Sequence, residues 1–212
     1  MATVCLDPGH GGRDPGAVRE GLKEKHLTLA IAEAAGAALR PRHHVVLTRT
    51  ADRALTLAER RSVADRTRAD LFVSIHVNAS TNTRAAGIEV FTRSPAHESS
   101  IILAGAILRA VMRRFPQRPN RGVRQRGLGV LRQARPAALV ECFFLSNPTE
   151  RALLAQSSTQ TNLGRAIAAG CEAALAPPAL TARRCPARVA ADRERTARRA
   201  ARSPRPPAAR PA

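Results

Sequence analysis

The sequence predicts an α/β fold in which strands and helices alternate in layers. Short apolar, β-rich runs are separated by longer segments whose apolar residues recur at helical spacing. One run, "LFVSIH" (71–76), is apolar almost throughout, as expected of a strand in a sheet covered on both faces. The 212 residues suffice for one such domain with a sizeable core.

The first strand, Thr3–Leu6, stops at the turn formed by Asp7, Pro8 and Gly9. From Glu24 to Leu39 an apolar stripe of Leu27, Ile31, Ala34 and Ala38 predicts a helix, ended by Pro41. His44–Thr48 reads as a strand. A helix follows over about 55–68, with Asp52 as its N-cap. After strand 71–76, "GIEVFT" (87–92) alternates more and is expected nearer an edge. Helix 97–115 carries Ala104, Ile107, Leu108, Val111 and Phe115 on one face. The Pro-, Gly- and Arg-rich stretch 116–128 is expected to be a loop. Gly129–Leu131 reads as a short strand before "AALVE" (137–141), and helices follow at Thr149–Gln156 and Asn162–Leu175. Leu163, Ile167, Cys171 and Ala174 form the stripe of the last one. Beyond Ala176 the composition turns to Ala, Arg and Pro without periodicity. It cannot bury enough apolar surface to fold alone. The expected organisation is therefore one folded domain over 1–176 and a disordered basic tail over 177–212.

The net charge is +19. From Pro178 onward ten Arg stand against Asp192 and Glu194, which leaves +11 for the first 177 residues. Such a balance favours polyanionic partners: nucleic acid, an anionic membrane surface or an acidic wall polymer. Tyr and Trp are absent, so stacking on bases would fall to five Phe, which counts against nucleic acid. No stretch approaches 18 consecutive apolar residues, so no membrane span is expected. No basic segment followed by an apolar one opens the chain, so no secretory signal is read from it. Cys5, Cys142, Cys171 and Cys185 are far apart and form no C-x-x-C pair; Cys5 and Cys142, in or beside apolar strand-like runs, read as reduced core thiols.

Three chemically capable groups fall at equivalent places. His10 follows the first strand, His76 ends strand 71–76 and Glu141 ends "AALVE". In open α/β sheets the loops diverge at the carboxyl ends of the strands and leave a crevice for ligands. Glu24 opens the first helix, just after the loop that carries His10. Two imidazoles and one carboxylate form a catalytic zinc set with an open position. Zinc lowers the pKa of its water to about 7. A second carboxylate off the metal is then needed to move the proton, and Glu141 is free for that. The glycines around His10 let the backbone turn sharply toward such a centre.

Each residue also has an ordinary explanation. His10 could be a solvated loop residue, and Glu24 a helix-opening acid stabilised by the helix dipole. His76 could be a hydrogen-bonded core histidine, and Glu141 the partner of one of many arginines. Asp7, Asp14, Asn78 and Glu89 are candidates for orienting the imidazoles, or else turn and surface residues. His43 and His44 read as structural or solvated.

The order of motifs narrows the choice. "LDPGHGGRDPGA" (6–17), "EKHLTLAIA" (24–32), "VVLTR" (45–49), "LFVSIHVNA" (71–79), "GIEVF" (87–91) and "LVECFFLSN" (139–147) make the chain resemble the zinc-dependent N-acetylmuramoyl-L-alanine amidases called amidase type 3. The resemblance runs from about Thr3 to Leu175. It implies a twisted, mostly parallel or mixed sheet of about six strands flanked by helices, one zinc ion held by His10, Glu24 and His76, and Glu141 as the catalytic glutamate. It further implies hydrolysis of the amide between the lactyl group of N-acetylmuramic acid and L-alanine of the peptidoglycan stem. Thr28, where the family commonly has Asn, and Cys142 depart from the usual pattern without removing a catalytic group. Some relatives carry a long autoinhibitory insertion before the last catalytic strand. Asn78–Val140 is too short for one, so an open site is expected. With this reading go a peptidoglycan partner, a monomer, and action in the cell envelope after synthesis in the cytoplasm. The alternative is a metal-independent protein that binds nucleic acid or a wall polymer through its charge.

Overall fold

The computed structural model describes residues 1–133 and 135–176. Its elements are β1 (Thr3–Pro8), β2 (Val18–Arg19), β3 (Leu22–Lys23), α1 (Glu24–Leu39), β4 (His44–Leu47), α2 (Leu57–Arg66), β5 (Leu71–Asn78), β6 (Ile88–Thr92), α3 (Glu98–Arg114), β7 (Asn120–Gln125), β8 (Ala137–Phe144), α4 (Pro148–Leu154) and α5 (Ser157–Leu175), with a 3-10 turn at Gly129–Leu131. Six strands form a mixed sheet in the order β4-β1-β5-β8-β6-β7, and β2 and β3 form a separate hairpin. All neighbours in the large sheet run parallel except β6 and β8, which are antiparallel. The expected fold class is therefore the observed one. The basic tail lies outside the described residues. No helix among the described residues is long and apolar enough to cross a membrane.

Strand alternation gives the sheet two different faces. Val4 and Leu6 of β1, Val73, Ile75 and Val77 of β5, Val140 of β8 and Ile88 and Val90 of β6 join α1, α3 and α5 in the main apolar core. The residues between them point the other way. Cys5, Phe72, Phe91, Ala137 and Leu139 form a smaller core under α2 and the 3-10 turn. Cys5, Cys142 and Cys171 are free and buried, which raises their thiol pKa values and keeps them unreactive.

Three local expectations are corrected. Residues 120–125 form an edge strand rather than loop, because β7 pairs on one side only, with β6, and an edge tolerates arginines. β6 lies next to that edge, as expected, and all five of its residues are buried. Gly129–Leu131 is a 3-10 turn, not a strand. Helix α2 is capped by Thr56, not Asp52. The Thr56 side chain accepts from the Glu59 N–H while Glu59 reaches back to the Thr56 N–H, a reciprocal cap. Asp52 accepts instead from the Lys25 ammonium at 2.5 Å and the Gly12 N–H at 2.7 Å.

Candidate active site

His10, Glu24, His76 and Glu141 come from four elements that end on the same side of the sheet. His76 on β5 and Glu141 on β8 are paired in register, and Glu89 on β6 pairs with Glu141 from the other side. His10 lies just past β1, and Glu24 is the first residue of α1. Four groups distant in sequence are thus brought to the carboxyl end of the parallel strands, where a crevice forms.

The donor atoms of His10, Glu24 and His76 lie within 4.8 Å of one another. Glu24 Oε1 is 3.2 Å from His10 Nε2 and 3.0 Å from His76 Nδ1. The two rings meet edge to face, centroids 4.9 Å apart. Backbone N–H groups hold the buried carboxylate: Val77 N donates to Oε1 at 3.0 Å and Ala17 N to Oε2 at 2.8 Å. Burial pushes the Glu24 pKa up, but hydrogen bonds from both imidazoles outweigh it and hold the carboxyl well below its ordinary range. Burial lowers His10, yet the bonds to Glu24 and Asp14 prevail and raise it to about 8.

Glycine makes the close approach feasible at two positions. A Cβ on Gly9 would sit 2.4 Å from the His76 ring. Gly16 has φ +65°, and a Cβ there would lie 2.6 Å from Glu24 Oε2. His10 itself adopts φ 59°, a conformation that non-glycine residues seldom take.

That conformation is held by two buried arginines that the sequence reading did not single out. Arg60 donates from Nη1 to Asp7 Oδ1 (2.8 Å) and the Pro8 carbonyl (2.7 Å), and from Nη2 to the His10 carbonyl (2.8 Å). Arg49 Nη2 donates to the carbonyls of Gly9 and Lys25, both at 2.8 Å. Thr28, at the family's usual Asn position, donates to the Gly9 carbonyl at 2.8 Å. "VVLTR" carried a signal for Arg49. No pattern marks Arg60, whose role arises only when α2 packs on β1.

Of the four candidate orienting groups, one reaches an imidazole. Asp14 Oδ2 is 2.8 Å from His10 Nδ1. Asp7, fully buried, accepts instead from Thr48, Ser74 and Arg60. Asn78 donates to Glu89 at 2.6 Å.

Glu141 differs from Glu24 in having little to pair with. Its Oε2 is buried and has no hydrogen-bond partner among the described residues. Burial pushes its pKa up to about 7, partly opposed by His76. A cleft of about 420 Å³ adjoins His10 and His76, with Leu55, Leu57, Leu128 and Val130 in its wall.

Two imidazoles and an anionic carboxylate within reach of one point fit a divalent metal ion, and the unsatisfied Glu141 oxygen beside them fits a group waiting for a reactant. Fold and site together define the class: an α/β protein with a mixed six-stranded sheet and a candidate metal centre at the carboxyl ends of its parallel strands. The model of the N-acetylmuramoyl-L-alanine amidase family matches residues 4–173. The endolysin of Bacillus phage SPP1 is 34% identical over 172 residues, which is 79% of this chain and 64% of the phage protein. The sporulation-specific N-acetylmuramoyl-L-alanine amidase of Bacillus subtilis (strain 168) is 35% identical over 182 residues, 82% of this chain and 68% of that one. The crystal structure of N-acetylmuramoyl-L-alanine amidase from Clostridium difficile 630 matches with a TM-score of 0.79 at 34% identity, covering 82% of this chain and 96% of that chain. The chain belongs to the N-acetylmuramoyl-L-alanine amidase family.

Proposed function

We propose that this protein hydrolyses the amide between the lactyl group of N-acetylmuramic acid and L-alanine of the peptidoglycan stem, using one zinc ion held by His10, Glu24 and His76. The observation that carries the reading is the convergence of those three donors within 4.8 Å, beside the unpartnered Glu141. Bound there, zinc supplies Lewis acidity, which polarises a carbonyl and brings the pKa of water down to about 7.

The chain's own groups do the rest. Asp14 fixes the His10 ring by taking its Nδ1 side, which directs Nε2 inward. Backbone N–H groups of Ala17 and Val77 aim the Glu24 carboxylate. Glu141 removes the proton from the attacking water and returns it to the departing L-alanine nitrogen, so one carboxylate serves as base and then acid. The same groups bear on a linear amide in the cell envelope, and a monomer holds all of them.

The test is digestion of purified peptidoglycan with and without a chelator, followed by mass analysis of the released stems. New L-alanine amino termini, abolished by the chelator and restored by zinc, are expected. New reducing sugar ends, or cleavage indifferent to the chelator, would overturn the reading.

A further inference from the structure

The two flanks of the site differ chemically. Over β1, β5 and β8 the cleft beside the imidazoles has Leu55, Leu57, Leu128, Val130 and Leu139 in its wall, and its one arginine, Arg60, is buried and bonded to Asp7 and to the Pro8 and His10 carbonyls. Over β6 and β7 the neighbour of Glu141 is charged. Glu89, 5% exposed, receives Asn78 on Oε1, while Arg121 Nε and Arg124 Nε both lie 3.2 Å from Oε2.

Two guanidinium groups on one carboxylate leave a surplus positive charge. Each engages Glu89 through Nε, and among the described residues neither Arg121 nor Arg124 hydrogen-bonds any group through its terminal nitrogens. The Arg121 guanidinium lies over the Phe144 ring, 4.9 Å from its centroid, and Arg124 Nε also lies 3.3 Å from the Arg121 carbonyl. Their side chains are 31% and 52% exposed. Held by the inner nitrogen, each presents its outer edge to solvent, in the planar fork that matches a carboxylate.

We infer that Arg121 and Arg124 form a carboxylate subsite that receives an acidic residue of the stem peptide on the leaving-amine side of the scissile bond. This rests on the amidase reading of the site. Of the two halves of that substrate, the peptide is the one that bears carboxylates along its chain, and the arginine of the cleft, Arg60, is already committed to Asp7 and to the Pro8 and His10 carbonyls. Distance agrees. Neighbouring strands lie about 4.8 Å apart, so β7 is roughly 10 Å from β8 and Glu141. An extended peptide advances about 3.3–3.6 Å per residue, so a carboxylate one or two residues past the amide, on its own side chain, spans that gap. Anchoring on Glu89 keeps the arginines from folding back onto Glu141, which needs an open face.

The experiment uses two soluble muropeptides that differ only at the second stem residue, with either a free carboxylate or the matching carboxamide. The wild type is expected to favour the carboxylate by about ten-fold in kcat/KM, the scale of one charge-assisted contact, mostly through KM. Arg124→Gln and Arg121→Gln are each expected to bring the ratio close to one. Arg124→Lys, which keeps the charge and loses the fork, falls between. Arg126→Gln, a neighbouring exposed arginine, keeps the wild-type ratio. A wild type that cuts both substrates equally, or glutamine variants that retain the preference, would sink the subsite. A drop in the Arg126→Gln ratio equal to theirs would sink it too, by showing a diffuse charge effect. Failure of the amidase reading looks different: no L-alanine amino terminus from either muropeptide.

Discussion

The two faces of the sheet share the same strands yet carry opposite kinds of residue. Val73, Ile75 and Val77 of β5 sink into the core under α1, α3 and α5, whereas Ser74 and His76, one step along, face the other way. Val140 and Glu141 divide in the same manner on β8, and Val90 and Glu89 on β6. Because successive side chains alternate, a strand assigns stability to one face and chemistry to the other at no cost in length. On the chemical face α2 and the 3-10 turn cover the stretch nearest the starts of β1, β5 and β8. The carboxyl ends stay accessible. The difference shows how an apolar core and a cluster of buried acids and imidazoles coexist without sharing neighbours.

The separation can be broken most sharply at Glu141. Glu141→Gln is expected to reduce turnover by about 10²–10⁴-fold, the usual contribution of a general acid–base group. Metal content and thermal midpoint are expected to stay at wild type. A variant still cleaving at the normal rate would remove Glu141 from the reaction. The mirror experiment is Ile75→Ala, next to His76 but on the packed face. Loss of a fully buried isoleucine is expected to cost about 2–5 kcal/mol in urea unfolding while activity per folded molecule is retained. Equal damage to activity would show that the faces are coupled.

Arg60→Gln probes the seam between them. With the His10 and Pro8 carbonyls and Asp7 deprived of their shared donor, zinc affinity is expected to fall about 10–100-fold by competitive chelation, as for lost supporting contacts elsewhere. Unchanged affinity would mean that Arg49 and the glycines suffice to set the loop. The smallest effect is expected from Thr56→Ala. Removing the α2 cap costs about 1 kcal/mol in unfolding and leaves turnover intact.

The sequence carried the periodic and punctuated parts of this molecule well. Helix α1 spans Glu24–Leu39 as its stripe indicated, and the histidine and glutamate positions at strand ends were visible as residues that interrupt apolar runs. What it did not carry was context. Thr56 and Asp52 are both good caps, and only the nearby Lys25 shows why Asp52 is engaged elsewhere. "NRGVRQ" has no apolar face because it needs none at the sheet margin. Arg49 and Arg60 look like any of the chain's arginines until β1, β4 and α2 surround them. Buried charge is a tertiary event, and local pattern is silent about it.

Strand β7 closes the sheet on one side, and on its outer side it has no strand partner among the described residues. A bare margin of this kind is a template on which a second molecule can add its own strand, the first step toward fibrous aggregates. Arg121 and Arg124 sit on that margin. Two copies brought margin to margin would press like charges together, so the arginines also guard against sheets growing from one molecule into the next.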